Sequence, residues 1–130
     1  MPGPLIFIAT NRLREGRFGA EHERVPELSR FVEANEPRLI AFNEYVNEVL
    51  SEVAVVQVHP DAASLDYHLS VIGDRAKQAY AHTLEATTRL QVFGIPTGNT
   101  LRMLDQLAGS GVPLTIYPHH LGGFTRLGTA

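Results

Sequence analysis

Two histidines, His59 and His68, stand nine positions apart around the segment Pro60 to Tyr67. An imidazole titrates near neutral pH, so at a cleft each serves as a general base or orients a substrate. Asn11 follows the apolar run Leu5 to Ala9, where its amide has the chemistry to donate to a carbonyl oxygen or an enolate. Asn43 and Tyr45 share one parity of a second run, and Gln57 and His59 share one parity of a third. With Phe7 they describe a mostly apolar pocket holding a few placed polar groups, the signature of a small-molecule site. Each of these residues also has a structural reading. His59 closes a turn with Asp61, His68 packs at a sheet edge, Asn11 is a turn residue, and the other polar groups sit at exposed strand ends.

Several chemistries are excluded or disfavoured. The chain has no cysteine, which removes disulfides, thiolate nucleophiles and every Cys-containing zinc site. The spacing of His59 and His68 fits no metal motif, and His119 and His120, being adjacent, point to opposite sides of an extended chain. No metal and no cofactor is expected. The sequence contains no dinucleotide turn, no Walker phosphate loop and no nucleophile elbow. Glu21, Glu23, Glu27 and Glu33 read as the solvated face of a helix, and Asp61 and Asp66 as residues that start a helix and complement its dipole.

The elements that position these groups follow from periodicity. Leu5 to Thr10 is β-branched and aromatic, and reads as a first strand. From Phe18 the spacing becomes helical, with Val25, Leu28, Phe31 and Val32 in one stripe; Pro26 implies a kink or a start at Val25, and Asn35-Glu36-Pro37 a stop. Leu39 to Val46 and Glu52 to His59 read as a hairpin of strands. Asp61 caps a long helix reaching Leu84, with a break at Gly73. Leu90 to Gly94 reads as a fourth strand. Residues 97–108 form a short helix, Leu114 to Tyr117 a fifth strand, and the tail from Gly122 to Ala130 is irregular. The order strand, helix, strand, strand, helix, strand is the ferredoxin-like βαββαβ arrangement with an extra C-terminal helix and strand, an α+β class.

The chain has 130 residues, with 44% hydrophobic and 19% charged residues and a formal net charge of −3. That length supports one domain over residues 1–130. A mildly acidic chain without a basic stripe is not expected to bind nucleic acid. No apolar run approaches the roughly 18 residues that span a bilayer, and Met1-Pro2-Gly3-Pro4 lacks the charge of a secretory signal; no membrane partner and a cytoplasmic location are the expectations. The first and third strands are apolar on both parities, and two helices cover only one face of a sheet. A second copy packed on the other face is the expected remedy, the alternative being that the last helix and tail fold over it.

The segments resemble the dimeric α/β-barrel proteins, in particular antibiotic-biosynthesis-monooxygenase-like domains. The resemblance rests on Arg12-Leu13-Arg14-Glu15-Gly16-Arg17 after the first strand, on Asn35-Glu36-Pro37-Arg38, and above all on Val53 to Leu69, a strand running through Asp61 and small residues to His68. It covers residues 4 to about 96. The chain departs from the family in having no tryptophan, a residue common in members that oxidise polycyclic aromatics or degrade haem, and in its length beyond Thr97. The resemblance implies a homodimeric α/β barrel and a cofactor-independent monooxygenase-like enzyme acting on a small aromatic or polyketide-like compound. Its catalytic candidates are His68, His59 and Asn11, with Phe7, Asn43, Tyr45 and Gln57 binding substrate. The alternative is a non-catalytic small-molecule-binding or scaffold protein of the same fold, and haem binding is a third class.

Overall fold

A computed structural model describes residues 3–126. Met1, Pro2 and residues 127–130, the last part of the tail expected to be irregular, lie outside the described residues. The chain runs β1(Leu5–Leu13), α1(Phe18–Asn35), β2(Ala41–Asn47), β3(Glu52–His59), α2(Ala62–His82), β4(Leu84–Phe93), α3(Gly98–Ala108) and β5(Leu114–Tyr117). The five strands form one sheet in the order β2-β3-β1-β4-β5. The first four are antiparallel to their neighbours, whereas β5 is parallel to β4. This is the ferredoxin-like arrangement with one strand added at the edge.

On β1 the odd residues face the helices: Leu5, Phe7, Asn11 and Leu13 are buried and Ala9 is half-buried. The main core joins Leu5, Phe7, Leu90 and Val92 of the sheet to Leu65 and Leu69 of α2 and Leu104 of α3. A second cluster, Leu13, Val53, Ala79 and Leu84, closes the opposite end. The other sheet face carries Ile6, Ile8, Val56, Val58 and Phe93, all half-buried, and the exposed Tyr45.

The helix boundaries have local causes. Asp61 caps α2, its carboxylate accepting from the Ser64 N–H at 3.0 Å. No break occurs at Gly73, and α1 runs unbroken through Pro26. α2 ends at His82, and β4 begins at Leu84, six residues earlier than the apolar pattern predicts. Register shifts opposite Thr10/Asn11 and Arg12/Leu13 break the alternation of β4. Its buried residues are therefore Leu84, Thr87, Leu90 and Val92, and the first three have the spacing of a helix, which is why this end of the strand reads as a continuation of α2. Gly94, at φ 120°, takes a backbone conformation open to glycine, and its N–H donates to the Tyr117 carbonyl at 2.8 Å.

α3 lies on the helix side of the sheet against α2 and does not cover the second face. Residues 118–120 and 122–125 line a groove with Gly3 to Ile6 and Phe93 at one end of the sheet. Asp66 of α2 holds α3 in place. Its carboxylate accepts from the Thr97 hydroxyl at 2.8 and 2.9 Å and from the Thr100 hydroxyl, while Thr97 caps α3 through the Thr100 N–H at 3.0 Å. Asp66 thus works between helices, beyond any role at the start of its own. Thr100 is fully buried, so removing the carboxylate strands its hydroxyl. Asp66→Ala is expected to cost about 2 kcal/mol of unfolding free energy, measured by urea denaturation; a loss below a few tenths of that figure contradicts the account.

Candidate active site

Between the sheet and the three helices lies a cavity of about 110 Å³. By that measure a single water needs roughly 10–15 Å³, so the cavity has room for a small organic molecule. Its floor is Phe7, Ala9 and Val55, and its roof includes Leu69, Ile72, Leu104 and Leu107. Asn11, Gln57, His68, Thr87, Tyr80, Glu44 and Arg24 supply polar atoms around this apolar interior.

His68 enters from α2, and its Nδ1 donates to both oxygens of Glu36, at 2.9 and 2.8 Å. Both side chains are 2% exposed. A carboxylate only accepts, so the Nδ1 proton is fixed and Nε2 is the free end of the ring. The ring packs against Phe42 at 5.6 Å and edge-on to His59 at 5.9 Å. A buried carboxylate behind an imidazole sets its tautomer and stabilises the imidazolium formed when it takes a proton.

His59 is completely buried and both its nitrogens are engaged. Nε2 contacts Gln57 Oε1 at 2.9 Å and Nδ1 contacts Ser64 Oγ at 2.8 Å. The amide oxygen accepts only, so Nε2 carries the proton and Nδ1 accepts from the Ser64 hydroxyl. Burial and the neighbouring His68 push its pKa down to about 3. His59 stands behind Gln57, outside the cavity lining; it orients that amide and does not touch the interior.

Asn11 is held in a parallel way. Its Oδ1 accepts from Thr87 Oγ1 at 2.6 Å, and the Tyr80 hydroxyl completes the chain by donating to Thr87. In both amides the oxygen is tied down. Among the described residues neither amide nitrogen has a partner, and no fully buried polar side-chain atom lacks one; both nitrogens therefore reach accessible space, and the cavity is what both residues line.

The register of β2 overturns two expected positions. Phe42 pairs with Gln57 and Glu44 with Val55, so these two residues face the helices. Asn43 and Tyr45 stand on the opposite face and are exposed. Glu44 instead meets Glu21, which is 2% exposed and corrects the expectation of a solvated residue. Arg24 grips Glu21 with two hydrogen bonds at 2.8 and 2.7 Å. Burial and the hydrogen bond to Glu21 push the Glu44 carboxyl up to about 9. For Glu21 burial acts upward, but the hydrogen bonds from Glu44 and Arg24 outweigh it and hold the group below the ordinary carboxylate range. Glu44 is thus a neutral acid at neutral pH, donating to an ionised Glu21.

Of the residues singled out in the sequence, Phe7, Asn11, Gln57 and His68 line this one cavity. Glu36, Glu44, Arg24, Thr87, Tyr80 and the α3 wall were not singled out in the sequence. Glu36 lies 32 positions from His68, and no periodicity links them. Among the described residues no group of three or more His, Asp or Glu side chains is placed to hold a metal.

No family model matches the sequence, and no curated protein does. Solved structures do resemble it. MupZ from Pseudomonas fluorescens aligns at TM-score 0.72 and 17% identity over 95% of both chains. PA3566 from Pseudomonas aeruginosa aligns at 0.59 and 19% identity over 71% of this chain and 93% of its own. An antibiotic biosynthesis monooxygenase aligns at 0.55 and 19% identity over 72% of this chain and 99% of its own. At these identities the likeness is one of fold. The 95% overlap takes in the extension beyond β4 as well.

The titrations above carry a sign. Glu44 keeps its proton to about pH 9 when folded, against an ordinary value of 4.5. Unfolding releases that proton between these limits, so the native state loses stability as pH rises through the window. Glu44→Gln lacks the proton, and its melting temperature is expected to fall less steeply than the wild type's between about pH 5 and 9. His59 acts at the other end: it resists protonation when folded, so stability also falls as pH drops from 6.5 towards 3. Thermal melts across both windows check these slopes, and identical alkaline slopes for the two proteins would show that Glu44 is not the group responsible.

Proposed function

We propose that this chain, a ferredoxin-like subunit with the fold of an antibiotic biosynthesis monooxygenase, is a cofactor-independent oxygenase of a small aromatic or polyketide-like carbon acid. The observation that carries the reading is the buried Glu36–His68 pair, whose free Nε2 belongs to a cavity wall that is otherwise mostly apolar. In such surroundings a neutral imidazole removes a proton from an activated C–H, and Glu36 stabilises the imidazolium that results. The amide donor of Gln57, at the His68 end of the cavity, holds the oxygen onto which the carbanion's charge spreads. Dioxygen then adds to the carbanion, the imidazolium returns its proton to the peroxide, and loss of water leaves a carbonyl. In sum a CH₂ group and O₂ become C=O and H₂O. His59 serves as a positioning residue for Gln57.

The working unit is a homodimer. The sheet face away from the helices is half-buried and apolar at Ile6, Ile8, Val56, Val58 and Phe93, and Tyr45 and Tyr117 stand exposed at 64% and 51%. A second copy packed on that face closes the α/β barrel and removes the patch from water.

An aromatic β-diketone tests the base step apart from the oxygen step. Under argon in deuterated buffer, the wild type is expected to speed exchange of the acidic C–H; His68→Gln lowers that rate by about 100-fold or more, and Glu36→Gln by a smaller factor. In air, oxygen uptake follows the same order. Exchange that survives His68→Gln removes the base from the reading, and binding without exchange makes the chain a carrier. Sedimentation at micromolar concentration checks the dimer, for which Val56→Glu is expected to give a 14.3 kDa particle.

A further inference from the structure

The two tied amides lie far apart in one cavity. Gln57 is opposite Phe7 in the β1–β3 register, whereas Asn11 is four residues further along β1 and opposite Val53. At roughly 3.3 Å per residue the two positions are about 13 Å apart along the strand. α2 spans the same length above them. His68 lies at the Gln57 end, and Tyr80, joined through Thr87 to Asn11, lies at the other. Ala9 and Val55 floor the interval and Ile72 and Ala76 roof it.

Each amide is 95% or more buried, Asn11 at 5% exposed and Gln57 at 3%. Each has its carbonyl oxygen engaged by a separate chain of side chains, Thr87 and Tyr80 in one case, His59 and Ser64 in the other. A free amide can present either its oxygen or its nitrogen, but these chains leave only N–H donors for the interior. Both nitrogens are accessible from the cavity, so a ligand that displaces solvent from it meets two N–H donors, which an accepting oxygen matches and an apolar group leaves unpaired.

We propose that the cavity takes an elongated ligand with an apolar middle and a hydrogen-bond-accepting oxygen at each end, Gln57 donating to one and Asn11 to the other. The proposal rests on the reading of the cavity as a substrate site and narrows the substrate class. The oxygen beside Gln57 is the one adjoining His68, where the proton is removed. The oxygen beside Asn11 sets length and orientation. Asn11 is therefore a specificity residue at the far end of the substrate, where a ligand with one oxygen leaves a donor unmatched.

Calorimetric titration with linear methyl diketones of increasing carbon count, from 2,5-hexanedione through 2,9-decanedione to 2,11-dodecanedione, tests this, each against the monoketone of equal length. The expected result is an optimum at one spacer length, where the diketone binds about fivefold tighter than its monoketone. Asn11→Asp keeps an oxygen for Thr87 but replaces the donor with an acceptor, and it brings the optimal diketone down to the monoketone's affinity. Asn11→Leu does the same with no charge introduced, which guards against a misfolded first variant. Affinity that climbs smoothly with carbon count regardless of the second oxygen overturns the proposal, as does an undiminished diketone preference in both variants. In either case the His68 reading stands. Failure of every linear ketone to bind the wild type likewise overturns the proposal, while exchange of the aromatic β-diketone decides the His68 reading separately.

Discussion

The site depends on burying hydrogen-bonding groups in a small apolar core, where each must be given a partner. Leaving one unmatched costs more than a made bond returns, so the interior polar residues come in closed sets: Glu36 with His68, His59 with Gln57 and Ser64, Asn11 with Thr87 and Tyr80, Glu21 with Arg24 and Glu44. Each set spans at least two elements. The same bonds that satisfy the buried atoms therefore hold helices to strands, and they fix which atom of each side chain is left over. Those leftover atoms, an imidazole nitrogen and two amide nitrogens, are what the cavity has to work with.

The division of labour between the two central histidines shows how little residue type alone decides. Both are buried and their rings lie 5.9 Å apart. One has a single nitrogen engaged and borders the cavity; the other has both engaged and stands behind an amide. A carboxylate partner fixes the Nδ1 end of the first, whereas burial and the first ring keep the second neutral. Reactivity here is a property of the neighbours.

Much of this architecture is legible from the residues. Strong periodicity marks β1, β3 and α2, and Asp61 marks the start of α2. The two-sided apolar strands mark a sheet with apolar residues on both faces, of which the helices cover one and leave the other half-buried. Legibility fails where geometry alters the period. The register shifts of β4 make Leu84, Thr87 and Leu90 look helical, and the orientation of β2 cannot be chosen from chemistry, since polar and apolar residues alternate on both of its faces. Asn43 and Tyr45 suit a binding site by type, but the pairing of Phe42 with Gln57 turns them away from it. Contacts such as Glu36 with His68 exist only in three dimensions and leave no trace in spacing.

The walls of the cavity are unequally secured. α2 buries Ser64, Leu65, His68, Leu69 and Ala79, and α3 is strapped to it through Asp66. α1 buries only Glu21 and Val32, and its ties to α2 include a long Arg75–Glu27 ion pair at 3.5 Å, Arg75 lying over Phe31, and a bond from Tyr67 to its last carbonyl. Segments with few buried apolar contacts swing outward at the lowest free energy. α1 is thus the wall with the least apolar anchorage, and its backbone amides are the ones expected to exchange with solvent before those of α2.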